Sequence, residues 1–159
     1  MEAHTPNNTP AARSAGLPLA AALKFLDGHR ELALATVDGG SPRLRAFQVM
    51  GVEARGDAVD LFFATAPFKA VYAQLRAQPY VEMLAMAGTV SVRMGGEASF
   101  DVSDGVCRAL FSAPGNEVLP RLYAAYDTLA YFRVRLRFVD YFDDGPAPCV
   151  YEHFALNGQ

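Results

Sequence analysis

The feature that most constrains this chain is Tyr131–Tyr141, YFRVRLRFVDY, in which Phe132, Val134, Leu136 and Phe138 alternate with Arg133, Arg135 and Arg137. A period of two puts the two sets on opposite faces of an extended strand. One apolar and one charged face is the mark of an antiparallel sheet with one side packed and the other wet. The arginines read as that wet face, with an anion-lined groove or a subunit contact as the alternatives.

The rest of the chain supplies partners for such a strand. Leu32–Val37 is a short apolar run closed by Asp38-Gly39-Gly40, which has the chemistry of a hairpin turn. The return run from Pro42 to about Val52 puts Arg43, Arg45, Phe47 and Val49 on one face and Leu44, Ala46, Gln48 and Met50 on the other. Two arginines on an otherwise apolar strand are either a solvated edge or point into a cleft that holds something anionic. Val59–Ala64, Tyr80–Met86, Val90–Phe100 with a bend at Gly95-Gly96, and Cys149–Phe154 complete the set of strands. Helical spacing occurs from Pro18, through Leu19, Ala22, Leu23 and Leu26, with Gly28 as its stop. Shorter helices are expected after Ser103-Asp104 and over Val118–Tyr126. Six or seven strands joined mainly by hairpins predict a mainly β (α+β) fold, an antiparallel barrel with a few short helices.

The 159 residues suit one domain, expected over 18–159 behind a flexible tail at 1–17 that is rich in proline and small residues. At 52% hydrophobic and 19% charged the chain is globular. A net charge of −3 argues against nucleic acid as a partner, and no apolar run reaches the ~18–20 residues of a membrane helix. Cys107 and Cys149 are too few for a disulfide framework, so reduced thiols and a cytoplasmic protein are expected. His4, His29 and His153 lack a second ligand at metal spacing, so no metal is expected. Phosphate-loop, dinucleotide-fold and GxSxG motifs are absent, which makes a bound organic cofactor the economical source of any chemistry.

Leu61–Pro79, LFFATAPFKAVYAQLRAQP, reads as a buried strand that turns at Thr65-Ala66-Pro67 into an amphipathic helix with Lys69 in its first turn. Pro67 keeps Ala66 out of the helical region, and Ala66 is a poor cap because it offers no oxygen. The N–H groups of Phe68, Lys69 and Ala70 then need an acceptor, either Thr65, water or a phosphate held with Lys69.

The segments Gly40-Ser41-Pro42-Arg43-Leu44-Arg45-Ala46-Phe47, Leu61–Thr65, Lys69–Leu75 and Gln78–Val81 together resemble the pyridoxamine 5′-phosphate oxidase-like superfamily of FMN-binding split β-barrels. The resemblance spans about residues 18–155. It implies FMN as cofactor, its phosphate on Thr65 and Lys69, with Arg45 as the phosphate-contacting arginine and Arg43 beside it. It implies a cofactor site of Arg43, Arg45, Ala46, Phe47, Gln48, Ala64, Thr65, Phe68 and Lys69, with no catalytic acid or base assigned. It also implies a homodimer with the flavin between subunits and a small-molecule substrate. The chain departs from true pyridoxamine phosphate oxidases at Met50, where they carry lysine, and at Phe68, where they carry arginine, and it has no tryptophan. It is more similar to the short branch of nitroimidazole-resistance proteins and flavin reductases. An FMN-dependent oxidoreductase is the expected function. A flavin carrier or sensor, a haem or deazaflavin protein, and an empty structural dimer are the alternatives.

Overall fold

The computed structural model describes residues 16–157, and most of the expected tail therefore lies outside the described residues. Gly16 and Leu17 already belong to the folded part, because their N–H groups donate to the Glu152 carboxylate at 2.7 and 3.3 Å.

Eight strands and four short helices follow: α1 Leu19–Gly28, β1 Glu31–Asp38, β2 Ser41–Gln48, β3 Gly51–Arg55, β4 Ala58–Thr65, α2 Ala70–Ala77, β5 Tyr80–Ala87, β6 Val90–Ser99, α3 Asp104–Ser112, α4 Val118–Leu122, β7 Ala130–Asp143 and β8 Val150–Ala155. A single 3₁₀ turn, Tyr126–Thr128, precedes β7. All pairings are antiparallel, in the order β2-β1-β5-β6-β7-β4-β3. The long strand β7 pairs along one side with β6. Along its other side it pairs first with β4 and then with β8.

The strand count exceeds the expected six or seven because Pro42–Val52 is two strands. Its alternation continues without a break, yet the chain leaves the sheet at Val49-Met50. There the N–H of Val49 bonds Arg30 and that of Met50 bonds Phe62, each at 2.8 Å. Both residues are buried. This two-residue crossing joins β2 and β3, the two ends of the strand order, and so curls the sheet into a split barrel.

The barrel interior holds Leu34, Leu61, Phe63, Val81, Met83, Val92, Met94, Phe132, Val134 and Leu136, with Ala22, Leu23 and Leu26 of α1 and Val71 and Leu75 of α2 packed on them. Burying each large side chain contributes about 1.5–3 kcal/mol, so these alternating strand faces drive the fold. A second cluster, Met50, Leu110, Leu119, Leu129 and Tyr131, forms where α3 and α4 lie on the sheet. Ser103 caps α3 by accepting from the Val106 N–H at 3.4 Å.

The expected bend at Gly95-Gly96 is a register shift against β7. A Cβ on Gly96 would stand 2.1 Å from the Arg135 carbonyl oxygen, and one on Gly95 would stand 2.3 Å from the Phe138 ring. The shift reverses the alternation of β7 after Leu136. Phe138, expected on the core face, instead lies outside, stacked near His153 at 6.2 Å under the Arg93 guanidinium at 5.0 Å.

Candidate functional site

Strand β4 delivers Thr65 to a corner at the edge of the barrel. The residue is buried, and its hydroxyl has no hydrogen-bond partner among the described residues. Pro67 and Phe68 then make a turn closed by the Lys69 N–H donating to the Ala66 carbonyl at 3.0 Å. This corrects the sequence expectation: α2 begins at Ala70 and not at Pro67, and Lys69 is its extended cap (φ −75°, ψ 142°). Lysine offers no oxygen to the helix start. The N–H groups of Ala70 and Val71 consequently find no protein acceptor among the described residues.

Edge strand β2 forms the facing wall. Its outer side lacks a pairing strand, so alternate backbone N–H and C=O groups stay available there. Arg45 leans across to β1 and α2, donating to the Thr36 hydroxyl at 2.7 Å and the Gln74 side-chain carbonyl at 2.8 Å. Among the described residues it touches no carboxylate. Burial, and then the Arg43 charge, push its guanidinium below its ordinary value. Phe47 turns inward, edge-on to Phe63 and Phe132 at 5.9 and 5.8 Å. The Gln48 amide donates to the Gly115 carbonyl at 2.9 Å.

A third wall comes from α4 and is apolar: Val118, Leu119, Leu122 and Tyr123. Asn116 holds it in place. This fully buried side chain donates to the carbonyls of Met50 (3.0 Å) and Leu110 (2.8 Å) and accepts from Arg30 at 3.2 Å. It thus pins the α3–α4 connection to the β2–β3 crossing.

The three walls enclose a cavity of about 410 Å³. Of the nine residues expected at a cofactor site, Arg45, Ala46, Phe47, Gln48, Ala64, Thr65 and Lys69 line it. Two do not. Arg43 stands at the hairpin end beside Asp38 at 3.5 Å, and Phe68 projects outward, 85% exposed. The sequence reading missed Met50 and the α4 wall. Leu122, 63% exposed on the five-residue α4, completes that wall, and no local pattern in the sequence marks it.

The arginines of β7 lie elsewhere. Arg133 and Arg135 converge on the buried Asp60 of β4, and Arg137 pairs with Glu97. Two of the three therefore serve a buried carboxylate and not a plain solvated face. Burial would raise the Asp60 carboxyl, but the hydrogen bonds and charges of Arg135 and Arg133 hold it below its ordinary value.

The cavity's donors fit a phosphate monoester joined to an apolar ring system. A buried hydroxyl without a partner, two helix-start N–H groups, and the cations Lys69 and Arg45 share the cavity's lining with apolar side chains. Among the described residues Lys69 makes no ion pair, so its charge is open to a ligand.

Comparison with known families matches residues 19–135 to the pyridoxamine 5′-phosphate oxidase family. Curated protein sequences gave no match. Among solved structures, a NimC/NimA family protein from Clostridium acetobutylicum is 22% identical, with 86% of this chain and 91% of that one covered and a TM-score of 0.63. An FMN-binding, pyridoxamine 5′-phosphate oxidase-related protein from Nostoc punctiforme is 19% identical over 87% and 94%, with a TM-score of 0.55. A heme-binding protein from Mycobacterium smegmatis is 16% identical over 87% and 59%, with a TM-score of 0.66. At these identities the solved structures establish the shared fold.

Proposed function

Because the chain belongs to the pyridoxamine 5′-phosphate oxidase family, we propose that its cavity binds FMN and that the protein is a flavin-dependent oxidoreductase. The observation that carries this reading is the orphaned, buried Thr65 hydroxyl, which shares the lining of a largely apolar cavity with Lys69 and Arg45. Thr65, Lys69, the Ala70 and Val71 N–H groups and Arg45 hold the phosphate. Ala46, Phe47 and Gln48 lie along the ring and its chain, and Met50 with the α4 wall keeps water from it.

When bound, the flavin supplies electron or hydride transfer between a donor such as reduced nicotinamide and a small-molecule substrate. The chain's own part is to bind and orient. Apart from the two cations, Tyr123 is the one titratable group among the described residues that line the cavity. Met50, buried in that lining, and the outward Phe68 leave out two charges of the B6 oxidases, so vitamin B6 oxidation is not part of this reading. Among the described residues that line the cavity, only Met50 and Tyr123 are of a kind that binds haem iron, whereas Thr65, Lys69 and Arg45 suit a phosphate, which favours flavin over haem.

A homodimer belongs to the same proposal. A shallow apolar groove formed by Ala33, Leu44, Leu84 and Met86 shares Arg45 and Ala46 with the cavity, and Leu44 and Met86 are largely exposed. A second copy on that face would cover it and reach the flavin. Both cysteines are free, as in a cytoplasmic protein.

The test is purification followed by FMN titration. Yellow protein, or a melting temperature raised by FMN, is the expected result; ligand at 100 Kd stabilises by about 2.7 kcal/mol. Colourless protein indifferent to excess FMN overturns the reading. NAD(P)H oxidation by the loaded protein separates an enzyme from a carrier or sensor, and sedimentation checks the dimer.

A further inference from the structure

Arg45 is set apart from the arginines of the outer sheet face. Arg93 reaches Asp140, and Arg133 and Arg135 reach Asp60. Arg45 is half-buried and, among the described residues, rests on neutral partners alone. Resting on the flavin reading above, we propose that Gln74 and Thr36 are positioning residues that hold the Arg45 guanidinium uncompensated at the cavity, as the second cationic anchor of the cofactor's phosphate.

The geometry is a closed triangle. The Gln74 side-chain carbonyl accepts from Arg45 at 2.8 Å and from the Thr36 hydroxyl at 2.7 Å, while that hydroxyl accepts from Arg45 at 2.7 Å. Thr36 is buried on β1, so the triangle has a rigid base. Gln74 stands on α2 one turn after Ala70, on the helix whose cap is Lys69. The triangle therefore ties the cation of β2 to the helix that carries the other cation.

Neutrality is the second half of the argument. A glutamate at position 74 would hold Arg45 at least as firmly but would cancel its charge. Asp38, the acid that faces Gln74, is engaged otherwise: it lies 3.5 Å from Arg43 and 3.5 Å from the Gln74 amide nitrogen. A glutamine keeps the geometry and leaves the charge for a ligand, which a purely structural contact would not require.

Flavin fluorescence titration of the full chain with FMN and with riboflavin, which lacks the phosphate, tests this. Gln74→Glu is expected to weaken FMN at least about tenfold, the scale of a charge-assisted hydrogen bond. Its riboflavin affinity should hold. Gln74→Leu and Thr36→Val, which loosen the clamp without adding charge, should lower the FMN-to-riboflavin preference by a smaller factor. FMN binding by Gln74→Glu equal to wild type, or an equal loss of both flavins in all three variants, overturns the inference while the flavin reading stands. A wild-type protein that binds neither flavin overturns both.

Discussion

Two strands of this protein carry the same motif, arginines on alternate residues, and the fold gives them opposite surroundings. In β7, Arg133 and Arg135 share the carboxylate of Asp60, which is only 6% exposed. In β2, Arg45 shares a hydroxyl and an amide. The first is a completed ion pair at the β4–β7 seam, where charge is spent within the protein. The second is a cation whose desolvation is unmatched by any carboxylate among the described residues and which borders a cavity. An arginine on a half-buried strand is thus structural or ligand-directed according to its counter-charge, which the strand's own sequence does not contain.

Removing the counter-charge from the completed pair should have the largest effect. Asp60→Asn leaves two half-buried guanidinium groups facing a neutral amide. It should cost about 2–3 kcal/mol, below the loss for fully buried pairs because the arginines keep some water. A urea melt measures it. FMN affinity of the folded fraction should not change.

The same pair predicts an acid limb. The folded Asp60 carboxyl titrates below its unfolded value, so its stabilisation is full above the unfolded value and is lost as pH falls through the folded one. Asp140 is also lowered: burial would raise it, but bonds from His153, Arg93 and Tyr151 more than offset that. Melting temperature should therefore drop below about pH 4, the ordinary range of aspartate, and less steeply in Asp60→Asn.

Arg45→Ala should invert the first result. FMN binding falls by about 1.5–3 kcal/mol, the worth of a hydrogen bond to a charged group, while the ligand-free melting temperature moves little. Substantial destabilisation without loss of FMN would make the two arginine regions alike and dissolve the contrast. Lys69→Ala should weaken FMN by at least ~1 kcal/mol, again with stability kept, because Lys69 is exposed and unpaired among the described residues. Arg137→Ala should do least. Its pair with Glu97 is more than half exposed on both sides, so stability should change by no more than about 1 kcal/mol.

Much of this was legible before any coordinates. The turn at Asp38-Gly39-Gly40 appears where its residues predict, with both glycines at positive φ (55° and 85°). The α1 face of Ala22, Leu23 and Leu26 is buried as its spacing requires. The corner at Thr65 and Lys69 was legible as a need for acceptors, though its details shifted: the Lys69 N–H is used in the turn, and Ala70 and Val71 hold the free donors. The α4 wall was not legible, because its place depends on Asn116 bonding Met50, 66 residues away in sequence.

The division has a physical basis. Local period, turn chemistry and caps act over a few residues, and those determined the strands, the hairpins, the helix faces and the antiparallel class. What joins distant segments was decided only in three dimensions. The crossing at Val49-Met50 is set by bonds to Arg30 and Phe62, although alternation runs straight through it. The outward turn of Phe138 is set by the close approach of Gly95 and Gly96 to β7. Above all, the meaning of each arginine was decided by whether Asp60 or Gln74 faced it, and neither lies on the same strand or helix as the arginine it meets.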